Sequence, residues 1–243
     1  MTPIEFNLVT LHQDIREGVL KPMLPLVALG RLAQVSKEMQ KQYDPWDKEK
    51  ASVIFGPEQW LKLGITVRDV PPLPPDINGI LKDSCRMNPK KRVYQTHRLI
   101  LKPARISIES MRWKGIKFNH VWEDIQVIAN IREKKTSWLL MTCEVIPGSL
   151  NKTFDAQRAL IKKHPEYRLP SVLEAVVLIK MYFKETGQYL LPGDPLTYTR
   201  CGDKRDDDMP YAVGESCHLG LNLCTWFEDA VEHVGIIAVR EVA

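Results

Sequence analysis

The sequence has no run approaching the ~18 consecutive apolar residues that a membrane-spanning helix needs. Its opening, Met1-Thr-Pro-Ile-Glu5, lacks the basic start and apolar stretch of a secretory signal. The expectation is therefore a cytoplasmic protein with no membrane partner. Cysteine is sparse: Cys85, Cys143, Cys201, Cys217 and Cys224 are an odd number scattered over 243 residues, which excludes a dense disulfide framework and predicts free thiols. Also missing are the Gly-x-Ser-x-Gly nucleophile elbow, the phosphate-cradling Gly-x-x-x-x-Gly-Lys-Ser/Thr loop and the dinucleotide Gly-x-Gly-x-x-Gly turn. No catalytic class is announced, and no cofactor is expected. Disorder is excluded from the other side, because 44% hydrophobic residues can bury one large core or two small ones.

Charge is present but unevenly placed. Between Arg86 and Phe118 ten basic residues face a single acid, Glu109, so this segment carries +9 and the remainder −5 in a chain of net charge +4. Acidic character gathers at Asp203 and Asp206 to Asp208.

The hydrophobic pattern predicts an α+β fold. Thr2 with Glu5 forms a capping box, Pro3 suits the first helical position, and Ile4, Leu8, Leu11 and Ile15 share one face of a helix stopped by Gly18. A second helix is predicted from about Pro25, with Leu29, Leu32 and Met39 at helical spacing. A third runs from Asp44 toward Phe55, and Pro57 to Leu63 adds a turn or two before Gly64. Residues 1–65 thus read as a helical module. The prolines of Val70-Pro-Pro-Leu-Pro-Pro75 remove backbone donors and favour an extended linker over 66–76. Residues 77–243 read as a mixed α+β domain.

Within that domain, Val93 to Lys102 alternates, placing Arg92, Tyr94, Arg98 and Lys102 on one face of a predicted half-buried strand. Ile125, Ile128 and Ile131 suggest a helix over 121–133, and 137–146 reads as an apolar strand. Thr153 caps a helix through Lys163. Ser171 with Glu174 opens a longer one that is apolar around most of its circumference and stops at Gly187, the expected central core element. Short strands over 196–201, 211–213, 218–227 and 234–239 predict an antiparallel meander at the end of the chain.

Three sets of residues invite a functional reading. The first is Pro3-Ile-Glu-Phe6 with Leu8 and Leu11, followed by Leu29-Gly-Arg-Leu32-Ala-Gln-Val35-Ser36-Lys37 and Trp46. This pattern, over residues 2–46, resembles an F-box, with a spacing between its halves longer than usual. The resemblance implies docking onto a Skp-type adaptor of a cullin ubiquitin ligase through Pro3, Phe6, Leu8 and Leu11, with Val35 and Trp46 internal and an unknown target held by the rest of the chain. Phe55-Gly56-x-x-x-Trp60, the proline run and Thr197-Tyr-Thr-Arg-Cys201 resemble uncharacterised proteins of intracellular bacteria that live in eukaryotic hosts. That likeness implies a secreted effector reaching the host cytosol and supplies no activity.

The second set is Arg92, Tyr94, Arg98 and Lys102, with Trp113 and Phe118 nearby, where clustered cations and aromatics suit nucleic-acid phosphates and bases. A solvated sheet face, or one neutralised by the acidic segment, is the alternative. The third is Cys201, Cys217, His218 and Cys224, whose thiolates and imidazole suit zinc; the spacing, with no Cys-x-x-Cys, argues against a metal. Among the six histidines, His97 and His218 are the residues a noncanonical catalytic site would use, although His97 shares its predicted face with Leu99 and Leu101 and reads as a core histidine. Arg68-x-x-Pro71-x-x-Pro74 matches a polyproline ligand of Src-homology-3 domains, but a segment packed on its own neighbour explains it more simply.

Overall fold

The structure, a computed structural model, describes residues 53–113, 118–119, 126–191, 197–216, 220–225 and 229–242. The chain divides into two units, Met1–Ala51 and Ser52–Ala243. The F-box-like pattern, including Pro3, Phe6, Leu8 and Leu11, lies outside the described residues. The second unit is a mixed α+β fold.

Its first sheet has the order β1-β4-β6-β11, formed by Ile54–Phe55, His97–Lys102, Ser137–Thr142 and Val239–Val242. β1 runs parallel to β4 and the other neighbours are antiparallel. The second sheet has the order β10-β7-β8-β9-β5. Its centre is the antiparallel meander of β7 (Tyr198–Lys204), β8 (Pro210–Ser216) and β9 (Gly220–Thr225). β10 (Val234–Gly235) and β5 (Phe118–Asn119) join its two edges in parallel. β2 (Ser84–Cys85) and β3 (Asn88–Arg92) form a separate hairpin.

The helix between the sheets explains the core. α7 (Val172–Thr186) starts with the Ser171/Glu174 capping box and ends at Gly187 in the left-handed conformation, φ 68°. It is buried from Val172 through Ile179, as its apolar circumference predicts, and packs on β4 of one sheet and β7 and β8 of the other. Shorter helices lie around it: α1 (Pro57–Lys62), α2 (Ile77–Lys82), α3 (Val93–Thr96), α4 (Ile108–Trp113), α5 (Gln126–Ala129) and α6 (Phe154–Lys162), the last capped by the Thr153 hydroxyl.

Four sequence expectations change. The single strand predicted over 93–102 is a helical turn followed by a strand. Gln95 accepts a hydrogen bond from the Arg92 N–H at 2.8 Å, and the Thr96 hydroxyl bonds the carbonyls of Arg92 and Val93, so side chains that look like strand alternation stabilise a turn. The expected strand over 234–239 is split between the sheets, with Ile236, Ile237 and Ala238 crossing the core at no exposure. Hydroxyls satisfy the N–H groups of this crossing: Ser149 accepts from Ile236, Thr199 from Ile237 and Thr142 from Ala238.

The third change concerns the helix expected over 121–133. Its described part is only α5, and Ile131 stands 55% exposed beyond it because the chain turns to pair with residues 105 and 106. The fourth concerns the proline boundary. β1 pairs with β4, the Trp60 indole donates to the Leu101 carbonyl at 2.6 Å, and the Trp138 indole donates to the Pro71 carbonyl at 3.0 Å. Residues 53–76 are thereby fastened to the α+β body, which begins at Ser52 rather than after the prolines. Phe55, expected at the end of a helix, is in a strand for the same reason.

Candidate binding groove

A groove of about 890 Å³ opens on the body where three segments meet: 64–69, 103–106 and 134–136. Gly64, at φ 71°, turns the chain out of α1 and starts the first wall. Pro103 ends β4, having no N–H for the ladder, and Arg105 follows at φ 63°. The Arg105 N–H donates to the Glu133 carbonyl at 2.8 Å, and the Glu133 N–H returns to Ile106 at 3.4 Å, which ties the second wall to the third. Thr136 pins all three: its hydroxyl oxygen accepts from the Ala104 N–H at 3.1 Å and its hydroxyl donates to the Arg68 carbonyl at 3.5 Å. Asp69, at φ 53°, is a second wall residue in the left-handed region.

The lining is cationic. Arg68, Arg105 and Lys134 are exposed along it against one carboxylate, Asp69, with Ile65, Val67 and Ile106 supplying apolar surface. Of the lining hydroxyls of Thr66, Ser110 and Thr136, that of Ser110 donates to the Ser107 carbonyl at 2.7 Å and accepts the Ser107 N–H at 2.9 Å. No histidine or cysteine stands among the described lining residues. The groove's titratable side chains, among the described lining residues, are Asp69, Arg68, Arg105 and Lys134. No protein-family model, curated protein or solved structure matches the chain.

Of the four residues expected to form a nucleic-acid face, Lys102 is buried, whereas Arg92 is exposed and Tyr94 and Arg98 are half-buried. Arg92, exposed at the end of β3, donates to the Lys82 carbonyl at 3.2 Å and the Ser84 hydroxyl at 3.5 Å. Tyr94 lies on the turn α3. Arg98 and Lys102 do project from one face of β4, but α7 covers that face: the Arg98 guanidinium sits 5.3 Å from the centre of the Tyr182 ring, and Lys102 is buried against Glu174 and Glu133 at 3.0 and 3.1 Å. Alternation identifies two faces of a strand and cannot say that a helix will cover the polar one. Elsewhere in the basic segment Lys91 pairs with Glu144 and Arg86 with Glu166, so with Lys102 three of its ten cations meet carboxylates from outside it. The acidic run also closes on itself and its neighbours. Asp203 accepts from the Val172 N–H, Asp207 pairs with Arg205 and Asp208 with Lys204.

His97 is fully buried, as its apolar face predicts. Its Nδ1 lies 2.8 Å from the Thr96 hydroxyl and its Nε2 3.1 Å from the Tyr167 hydroxyl. Burial, reinforced by Arg240 and Arg98 and opposed by a backbone hydrogen bond, lowers its pKa to about 4. Burial likewise raises the thiols of Cys143 and Cys201 and pushes Cys224 up to about 12, which leaves them protonated and unreactive. Among the described residues no group of three or more His, Cys, Asp or Glu is placed to hold a metal; Cys217 and His218 lie outside them. Nor is any described helix long and apolar enough to cross a membrane.

Of the groove's cations, Arg105 was visible only as one member of the basic segment and Arg68 only as part of a polyproline match. Lys134 carried no signal at all. Their convergence depends on bonds between segments about 30 residues apart in the chain, such as Ala104 to Thr136 and Arg105 to Glu133.

Proposed function

We propose that the protein is an interaction adaptor that recruits a target to a Skp-cullin ubiquitin ligase. In this reading the F-box-like module of residues 2–46 docks on the Skp-type adaptor through Pro3, Phe6, Leu8 and Leu11, and the α+β body holds the target. The likeness to proteins of host-dwelling bacteria supports a host-directed effector working in the host cytosol. The observation that carries the reading is the groove: a large open recess with a cationic lining and a hydrogen-bonded Ser110 hydroxyl suits recognition better than chemistry. The nucleic-acid alternative rested on Arg92, Tyr94, Arg98 and Lys102 acting together, and Lys102 is consumed by two carboxylates inside the fold.

The test is capture of a purified Skp-type adaptor by the full-length protein. Leu8→Asp and Leu11→Asp should each abolish capture while leaving the thermal melting of the protein unchanged. Failure of the wild-type chain to capture the adaptor would sink the proposal.

A further inference from the structure

Resting on the adaptor reading, the geometry points to the groove's occupant: we propose an extended peptide segment of the target in which acidic residues alternate with aliphatic ones. Two observations carry this, charge and the arrangement of the lining.

The charge of the groove is uncompensated where that of its surroundings is not. Glu133 borders the groove and bonds the Arg105 backbone, yet its carboxylate turns inward to Lys102 at 3.1 Å. Glu174 is likewise taken up inside the fold by Lys102 and Arg168. Lys135, next to Lys134, faces Glu241 at 4.0 Å. Among the described residues no carboxylate within ion-pair distance answers Arg68, Arg105 or Lys134, and Asp69 is the one acid on the lining. Three exposed cations on walls held in place by backbone bonds select a partner bearing several negative charges. Two of them are guanidiniums, which take carboxylates in bidentate fashion.

The lining separates a peptide from other polyanions. Ile65, Val67 and Ile106 line the same recess as the cations, so it offers apolar contacts beside polar ones. Successive side chains of an extended peptide point to opposite sides with a period of two, and an alternating acidic and aliphatic sequence meets both kinds of surface at once. Single-stranded nucleic acid would need aromatic side chains on which its bases stack, and none stands among the described lining residues. The volume, about 890 Å³, is at the top of the range for small-ligand pockets, and the recess is open to solvent, as a linear segment requires.

The experiment is a fluorescence-anisotropy titration of the full-length protein with three labelled probes: a peptide alternating Glu and Val, the same peptide with Gln for Glu, and oligothymidylate. The Glu/Val peptide should bind, and more weakly as salt is raised. The double variant Arg68→Glu/Lys134→Glu should weaken it by about tenfold or more, with Lys134→Gln giving a smaller loss in the same direction. Both positions are exposed, so the melting temperature should hold. The inference is overturned by absence of binding to the Glu/Val peptide, by equal binding of the Gln/Val peptide, by indifference to the double charge reversal, or by oligothymidylate binding more tightly through Arg68 and Lys134. None of these outcomes touches capture of a Skp-type adaptor by residues 2–46, so failure here and failure of the adaptor reading are separate results.

Discussion

Lys102 of β4 and Glu174 of α7, 72 residues apart in sequence, meet at 3.0 Å with side chains 7% and 2% exposed. Glu174 also caps its own helix and takes both guanidinium nitrogens of Arg168, at 2.7 and 2.8 Å. One carboxylate thus joins the first sheet, the start of α7 and the loop before it. A buried pair of this kind is weak evidence of net stabilisation, since desolvation offsets its attraction. Breaking it leaves the buried Lys102 with Glu133 alone.

Glu174→Gln should destabilise the protein by about 1–3 kcal/mol, less than a fully orphaned buried charge would cost, because Lys102 keeps Glu133 at 3.1 Å and Arg168 is half-exposed. Urea unfolding followed by tryptophan fluorescence measures this. A loss under about 1 kcal/mol would mean that Glu133 takes over both cations.

Stability should fall in two acid windows. The folded state holds His97 neutral, with its pKa at about 4 against an ordinary 6.5. As pH falls from 6.5 toward 4 the unfolded chain takes up a proton that the folded chain refuses, so stability drops, by up to about 3 kcal/mol. Burial alone would raise the Glu174 carboxyl, but Arg168 and Lys102 outweigh it and hold the pKa at about 2, which adds a second loss between 4.5 and 2. The His97→Gln protein should lose the first window and keep the second. Identical pH profiles for both proteins would refute the assignment.

Thr199→Val keeps the volume of the side chain and removes the oxygen that accepts the Ile237 N–H at 2.9 Å in the crossing between the sheets. An unsatisfied buried donor costs about 1–3 kcal/mol. The same replacement at the exposed Thr66 should change stability by less than about 0.5 kcal/mol. Equal effects at the two sites, measured by thermal unfolding, would show that the crossing does not depend on its hydroxyls.

Gly235 in β10 has Val145, Ser149 and Leu150 where a Cβ would stand. Gly235→Ala should separate β10 from β7 or push the 145–150 turn aside, lowering the melting temperature by several degrees. Gly79, with open space at the Cβ position, is the control, and Gly79→Ala should be neutral or slightly stabilising because it lies in α2. A fall in melting temperature at Gly79 equal to that at Gly235 would count against this account.

Local chemistry was the legible part of the sequence. The Ser171/Glu174 box, the Thr153 cap and the left-handed Gly187 stop located α6 and α7, because each depends on groups within a few residues of one another. The apolar circumference of α7 placed it at the core, and the turn residues of the last third implied the β7-β8-β9 meander. Burial of His97 also followed from its neighbours Leu99 and Leu101. The tertiary structure alone decided which polar faces stay in water. Arg98 and Lys102 looked solvent-facing until α7 covered them, and the 234–239 run looked like one strand until each end found a different sheet. It also gathered Arg68, Arg105 and Lys134 around one recess through backbone bonds that no periodicity encodes. Caps and stripes are set by contacts along the chain, whereas ion pairs, sheet crossings and grooves are set by segments meeting from a distance, which a linear pattern does not record.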